Sequence, residues 1–348
     1  MPPPTPPPSP TLDEPATLRD VARLAGVSPS TVSRILNGTA RVASEKQSAV
    51  QAAIARLDFK PNLSARSLRS GSTMTIGVLT QELESPYFTA GVRGVDVGLA
   101  GSGYAPVIVP GHWNPREEAE RVHLLISRRV DAIAILGGSL SDSEVNSFAR
   151  QVPIAITDRS LRAPNVMSFE FDQVEGGRMA TEHLIGLQHR RIAHISGPRL
   201  LGDAVKRSEG FMRAHADAGL AVDPRLIVEG DFLELGGVAA MNRLLDGGVP
   251  FSAVFCANDQ TLYGARLALL RRGLRVPEDV SLVGFDDLPL SAYMTPPVTT
   301  VRQPLYEMGL AVAAALLGAL GAATSGPTTH PPLSLVVRET TTAPRGEA

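Results

Sequence analysis

From residue 74 onward the chain repeats one pattern: a short apolar run, a segment of helical period, then another apolar run. The runs read MTIGVL, APVIV, AIAIL, PIAIT, RIAHIS, AVFC and VSLVGF. A short run that is apolar almost throughout fits a strand buried on both faces, and helices between such strands fit parallel crossovers. The pattern therefore predicts parallel sheets flanked by helices, with strands enough for two sheets.

At 348 residues the chain exceeds what one hydrophobic core comfortably holds. Its 43% hydrophobic and 20% charged residues are the balance of a soluble globular protein. The longest apolar stretch, LAVAAALLGALGAA at 310–323, is too short to span a bilayer and predicts a buried helix. The start, MPPPTPPPSPTLDEP, has no cationic or apolar signal region and reads as a disordered proline-rich tail over 1–16. A lone cysteine, Cys256, excludes an internal disulfide and suits a reducing compartment. The expected location is cytoplasmic, with no membrane partner.

Before the strands begin, three short helices are predicted. Leu18, Val21, Ala22 and Ala25 share one face; Val32, Ile35 and Leu36 follow; Val50, Ala53, Ile54 and Leu57 repeat the spacing. Ser28 before Pro29 is a helix start, Ser44 before Glu45 starts the third helix, and Gly26 sits in the first turn. With Val32, Ile35 and Leu36 turned inward, Ser30 and Arg34 share the outward face of a helix-turn-helix. Residues 17–71 carry nine Arg and Lys against three acids in a chain whose overall charge is −2. A basic module on an acidic body points to a polyanion met at one end. Taken alone, that outward face also fits an ordinary solvated helix.

No P-loop, no G-x-S-x-G and no Cys or His cluster of metal spacing occurs; His183, His189 and His194 match no metal motif. No catalytic residues, cofactor or metal are expected, and Cys256 reads as an inert buried residue. The chain is not expected to be an enzyme.

TLRDVARLAGVSPSTVSRILNG, AIARLDFKPNLSARSLRSG, RRVDAIAIL, DQVEGGRMATEHLIGLQHRRIAHISG, FCANDQTLYGA and VPEDVSLVGFDD together resemble, in order, the LacI/GalR family of bacterial transcription regulators. The resemblance runs from about residue 17 to 340. It implies an N-terminal all-α helix-turn-helix domain (17–60) and a hinge helix or linker (61–72). A periplasmic-binding-protein-like α/β body of two lobes (73–341) and a tail (342–348) follow. Lobe 1 would comprise about 73–169 and 304–330, and lobe 2 about 170–303 and 331–341.

For DNA, the resemblance implies base reading by Pro29, Ser30 and Arg34, phosphate contacts from Thr31 and Ser33, and a contact from Thr17. Asn37 joins this set. Pro29 has no side-chain donor, so readout would rest mainly on Arg34. Leu68 matches the family's minor-groove wedge, and Ser64 stands where relatives often carry an apolar residue. For a small-molecule effector, it implies Asp158, Arg207, Phe232, Asn258, Asp286 and Gln303, with Tyr87 and Phe88 from SPYF. Two carboxylates accepting hydroxyls, Arg207 and Asn258 donating, and an aromatic face suit a sugar. Asp286 could instead cap a helix and Arg207 pair structurally with a carboxylate, while Asp172 is expected to be structural or helix-capping.

The implied partners are a pseudo-palindromic double-stranded operator, a sugar effector and a second copy of the chain as homodimer. The implied function is a repressor whose operator affinity the effector changes. The alternatives are a purine- or nucleoside-responsive co-repressed regulator, and a ligand-independent architectural DNA-binding protein.

Overall fold

In the computed structural model, residues 16–36, 43–59, 72–323 and 326–345 are described, and the chain forms two compact units that divide between Thr73 and Met74. The hinge over 61–71, with Leu68, and Asn37 lie outside the described residues.

The first unit holds α1 (Leu18–Leu24), α2 (Pro29–Leu36) and α3 (Ser44–Arg56). Thr17 closes the start of α1 as a capping box, its hydroxyl accepting the Asp20 N–H while the Asp20 carboxylate accepts the Thr17 N–H. Gly26, at φ +62°, makes the turn that a side chain would strain. Ser28 accepts the Thr31 N–H at 3.2 Å and Pro29 opens α2, as the sequence suggests. The third helix starts at Ser44, as the sequence suggests, and Ala43 before it offers no side-chain cap. Val21, Val32 and Val50 are fully buried and pack with Ala22, Ala53 and Phe59.

The second unit carries two sheets. The first runs β2-β1-β3-β4-β5, all parallel, from β1 (Thr75–Thr80), β2 (Ala105–Pro110), β3 (Ala132–Ile135), β4 (Ile154–Thr157) and β5 (Val166–Phe169). The second runs β11-β10-β9-β8-β6-β7, from β6 (Ile192–Ser196), β7 (Ile227–Glu229), β8 (Ala253–Cys256), β9 (Ser281–Asp286), β10 (Thr299–Arg302) and β11 (Ser334–Val336). Only β11 runs antiparallel, on the edge beside β10.

Around the first sheet lie α4 (Pro86–Leu99), α5 (Pro115–Ser127) and α6 (Asp142–Ala149). Around the second lie α7 (Gln173–Gly186), α8 (Gly202–Asp217), α9 (Glu234–Asp246) and α10 (Asp259–Arg271). The apolar stretch forms α11 (Leu305–Ala319), buried against α4 and the first sheet. Among the described residues no helix is long and apolar enough to cross a membrane. The chain thus crosses from lobe 1 to lobe 2 after β5, returns after β10, and crosses again to reach β11. One apolar core joins the two lobes, running from Ile76 and Val95 through α11 to Phe211, Phe255 and Phe285.

Three helix pairs meet backbone to backbone through reciprocal glycines. A Cβ on Gly94 of α4 would lie 2.1 Å from the Tyr306 carbonyl of α11, and one on Gly309 would lie 2.2 Å from the Gly91 carbonyl. Gly177 and Gly210 do the same for α7 and α8, and Gly237 and Gly264 for α9 and α10. No residue larger than glycine fits these crossings.

His194 is fully buried and stacked between the rings of Phe211 and Phe255, at 5.0 and 4.8 Å. Burial pushes its pKa down to about 4, against a weaker upward pull from the Phe255 carbonyl. Its folded pKa lies below the unfolded value, so its contribution is complete above pH 6.5 and is lost as pH falls toward 4. Chemical denaturation at pH 7 and pH 5 should show His194→Gln relieved of about 2 kcal/mol of acid sensitivity; equal acid losses in both proteins would contradict this.

Candidate functional site

On α2 the buried side chain is Val32, while Pro29, Ser30 and Arg34 are exposed and Thr31 and Ser33 half-buried. The Ser28 hydroxyl lies 2.8 Å from both the Ser30 and Thr31 hydroxyls. These hydroxyls crowd the positive end of the helix, where backbone N–H groups favour an anion such as phosphate. Arg34 stands one turn further on, free to extend. Thr17, by contrast, already spends its hydroxyl on Asp20, at 2.5 Å.

In the second unit, the residues singled out for a small molecule gather at the carboxyl ends of strands. Asp158 follows β4, Asn258 stands just beyond β8, Asp286 closes β9 and Gln303 follows β10. That edge is where open parallel sheets bind ligands, since loops diverge there from a rigid frame. Asp158, Phe232, Asp286 and the adjacent Asp287 all hold positive φ, at 69°, 67°, 104° and 56°. Left-handed backbone costs a non-glycine residue free energy, and such residues cluster at functional sites.

A closed ring of buried polar groups forms the floor. Gln303 donates to Asp286 at 2.7 Å, Gln173 donates to Gln303 at 2.8 Å, and Arg207 donates through Nε to Gln173 at 2.9 Å. The Arg207 Nη1 lies 3.7 Å from Asp286 and closes the ring, while also donating to the Ala257 carbonyl at 2.6 Å. Its guanidinium lies 3.9 Å from the centre of the Phe285 ring and 5.7 Å from that of Phe232. Nη2 has no hydrogen-bond partner among the described residues, so it can donate to a ligand. Asp286 accepts from the ring and does not cap a helix; burial, eased by Arg207, pushes its pKa up to about 7.

Two predicted residues do positioning work. Asn258 caps α10 by accepting the Thr261 N–H, and its amide donates to the Phe232 carbonyl at 2.9 Å. Gln303 has both amide ends engaged in the ring. Each keeps one N–H uncommitted. The Phe232 ring lies over Gly197, where a Cβ would come within 2.2 Å of it. Asp172 caps α7 through the Glu175 N–H.

From lobe 1, Tyr87 and Phe88 open α4 edge to face, with centroids 5.0 Å apart, and Phe88 meets Trp113 at 5.7 Å. Tyr87, Phe88, Thr157 and Asp158 line a small cavity with Leu305 and Met308. Burial and the neighbouring Asp203 carboxylate push Asp158 upward in pKa.

Four residues were not singled out from the sequence. Gln173 completes the ring. Trp113 packs edge-on against Phe88, and its backbone N–H donates to the Gln81 side-chain oxygen at 2.8 Å. Asp203 stands in the first turn of α8. Asp259, fully buried, accepts from Leu288, Ser291 and Thr300 and so holds the loop after Asp286. Among the described residues no group of three His, Cys, Asp or Glu could hold a metal ion.

Residues 17–62 match the model of bacterial regulatory proteins, lacI family, and residues 181–341 match a periplasmic binding protein-like domain. Over 294 residues the chain is 35% identical to the HTH-type transcriptional regulator GalR of Escherichia coli, covering 84% of this chain and 86% of that one. It is also 35% identical over 296 residues to the HTH-type transcriptional repressor PurR of Haemophilus influenzae, covering 84% and 88%. Its structure is similar to that of the lac repressor dimer bound to operator and the anti-inducer ONPF. The TM-score is 0.84 at 31% identity, covering 95% of this chain and all of that one. A CelR–cellobiose complex is similar at a TM-score of 0.67 and 34% identity, covering 93% and 99%.

Proposed function

This chain belongs to the LacI family of bacterial regulatory proteins, and from that premise we propose that it is a transcriptional repressor released from its operator by a sugar bound between the two lobes. It acts in the cytoplasm as a homodimer on a pseudo-palindromic site, and it catalyses no reaction. One α2 reads too few base pairs for strong specificity, and a two-fold pair doubles the site.

The observation that carries the sugar reading is the ring Asp286–Gln303–Gln173–Arg207. It leaves carboxylate oxygens free to accept and N–H groups free to donate beside the apolar faces of Phe232 and Phe285, which is what a polyol presents hydroxyls and C–H faces to. The likeness to the CelR–cellobiose complex supports the same class. Effector closure changes the angle between lobes, and the linker over 61–72 relays it to the DNA-binding domain. The coupling is reciprocal: an effector that weakens operator binding binds more weakly to the operator complex.

A purine effector that tightens operator binding is the second reading, favoured by the aromatic residues Phe232, Tyr87 and Phe88 among those singled out for the ligand, and by the likeness to PurR. Thermal melts against mono- and disaccharides, nucleosides and purines separate the two. A ligand at one hundred times its Kd adds about 2.7 kcal/mol, and Trp113, the only tryptophan, reports the same event by fluorescence. Stabilisation by a sugar that also releases operator DNA supports the first reading; stabilisation by purines alone replaces it.

Arg34→Ala should cost roughly 1–3 kcal/mol of operator binding and relax the preference at one base position of each half-site. Binding to a panel of singly substituted operators checks this. An unchanged preference at every position would move readout away from Arg34.

A further inference from the structure

We propose that the effector is a 6-deoxyhexose: its methyl group fills an apolar hollow of lobe 1, and the hydroxyl on the neighbouring ring carbon donates to Asp158. This rests on the sugar reading of the site and names the kind of sugar.

The hollow is the cavity that Tyr87, Phe88, Thr157 and Asp158 line with Leu305 and Met308. It leaves room for the centre of a water-sized sphere over about 20 Å³. One water needs roughly 10–15 Å³ by that measure, so one or two heavy atoms fit and a sugar ring does not. Every lining residue belongs to lobe 1, so movement between the lobes does not reshape it. Its walls are stiff as well, because α4 and α11 touch through Gly94 and Gly309, and Gly309 itself lines the hollow.

One wall is carbon. A Cβ built on Gly91 of α4 would meet the Leu136 Cδ1 at 3.6 Å and the Leu305 carbonyl at 4.0 Å. That carbonyl belongs to the hydrogen-bond ladder of α11. The Thr157 hydroxyl is taken by the Gly137 N–H at 2.8 Å. Asp158 is the one carboxylate among the lining residues. Its Oδ2 and the edge of the Phe88 ring stand 3.0 and 3.2 Å from the point where a Gly137 Cβ would lie. Carboxylate and ring therefore flank one glycine.

An acceptor beside an apolar hollow of this size asks for a hydroxyl and a small alkyl group on adjacent carbons. A 6-deoxyhexose carries that pair, a methyl on C5 and a hydroxyl on C4. The hydroxyl offsets the burial that works against the charge on Asp158. The parent hexose carries a hydroxymethyl instead, and brings a second hydroxyl to walls that are chiefly carbon. A pentose has nothing to place there and forgoes the apolar contact.

The test is calorimetric titration and melting of the full chain. Each 6-deoxyhexose is set beside its parent hexose and the pentose without C6. D-Fucose is compared with D-galactose and L-arabinose, and L-fucose with L-galactose and D-arabinose. L-Rhamnose is compared with L-mannose and L-lyxose, and 6-deoxy-D-glucose with D-glucose and D-xylose. In the series that binds, the 6-deoxy sugar should bind roughly 10- to 100-fold more tightly than either companion. Gly91→Ala sets a methyl in the hollow at ordinary contact distance and should bring the 6-deoxy sugar down to the affinity of the pentose. Leu136→Asn supplies an amide for a hydroxyl and should move the preference toward the parent hexose.

A parent hexose bound by wild type as tightly as its 6-deoxy form overturns the proposal and leaves the sugar site standing. An unchanged ratio in Gly91→Ala does the same. Binding of none of these monosaccharides also overturns it: a disaccharide response would then keep the sugar reading, and a response to purines alone would end both.

Discussion

Arg207→Met should leave a protein that still binds its operator but no longer answers to any effector. The side chain is 4% exposed, so its removal orphans several groups at once. Asp286 loses its cation, Gln173 its donor and the Ala257 carbonyl its partner. Breaking a buried charged pair on one side costs about 3–5 kcal/mol. Part of that cost is avoidable, because Asp286 already has a pKa of about 7 and can take a proton when Arg207 is gone. Protonation is easier at low pH, so the stability deficit should be larger at pH 8.5 than at pH 6. Denaturant unfolding at those two values measures it. On the ligand side, losing a charge-assisted donor inside the cleft should weaken effector binding roughly 100-fold. Operator binding in the absence of effector should change little. An effector response within a few fold of wild type would show that Arg207 holds the ring together without touching the ligand.

Gly210→Ala should destabilise lobe 2 by on the order of 3 kcal/mol, against a helix-propensity gain of about 1 kcal/mol. The added Cβ would sit 2.1 Å from the Val174 carbonyl and 2.6 Å from the Arg178 nitrogen. Both are backbone atoms, which no rotamer change can move aside. The two helices must separate instead, and α8 carries Arg207 with it. Gly186→Ala is the matched control, since a Cβ there meets nothing within 4 Å; it should be neutral or slightly stabilising. Equal urea midpoints for the two variants would mean that the α7–α8 crossing yields easily.

Much of this site could be read from the chain because its residues are anchored to strand ends. Asp158, Asn258 and Asp286 each follow a short apolar run, and the run predicts both the strand and the edge where its last residue emerges. Ser28 and Pro29 likewise announce α2 by local chemistry. Gln173 carries no such signal. Its partners lie 34 and 130 residues away, and only the return of the chain after β10 brings Gln303 to it. Asp203 reads locally as an acidic residue favouring a helix start, which it is. The antiparallel β11 is three residues long, too short for alternation to declare a direction.

The glycine crossings have a mechanical consequence. Shear between packed helices works by side chains hopping among rotamers as one ridge slides past the next. Where backbones touch, as between α4 and α11, α7 and α8, and α9 and α10, there is no ridge to slip. Each lobe is therefore stiff along its helix pairs, and the compliance of the body is concentrated in the three strands of chain that join the lobes: those after β5, after β10 and before β11. Ligand binding then acts as a torque on that three-stranded spindle, and the angle it delivers depends on the backbone torsions of a handful of crossover residues, Phe171 and Pro304 among them.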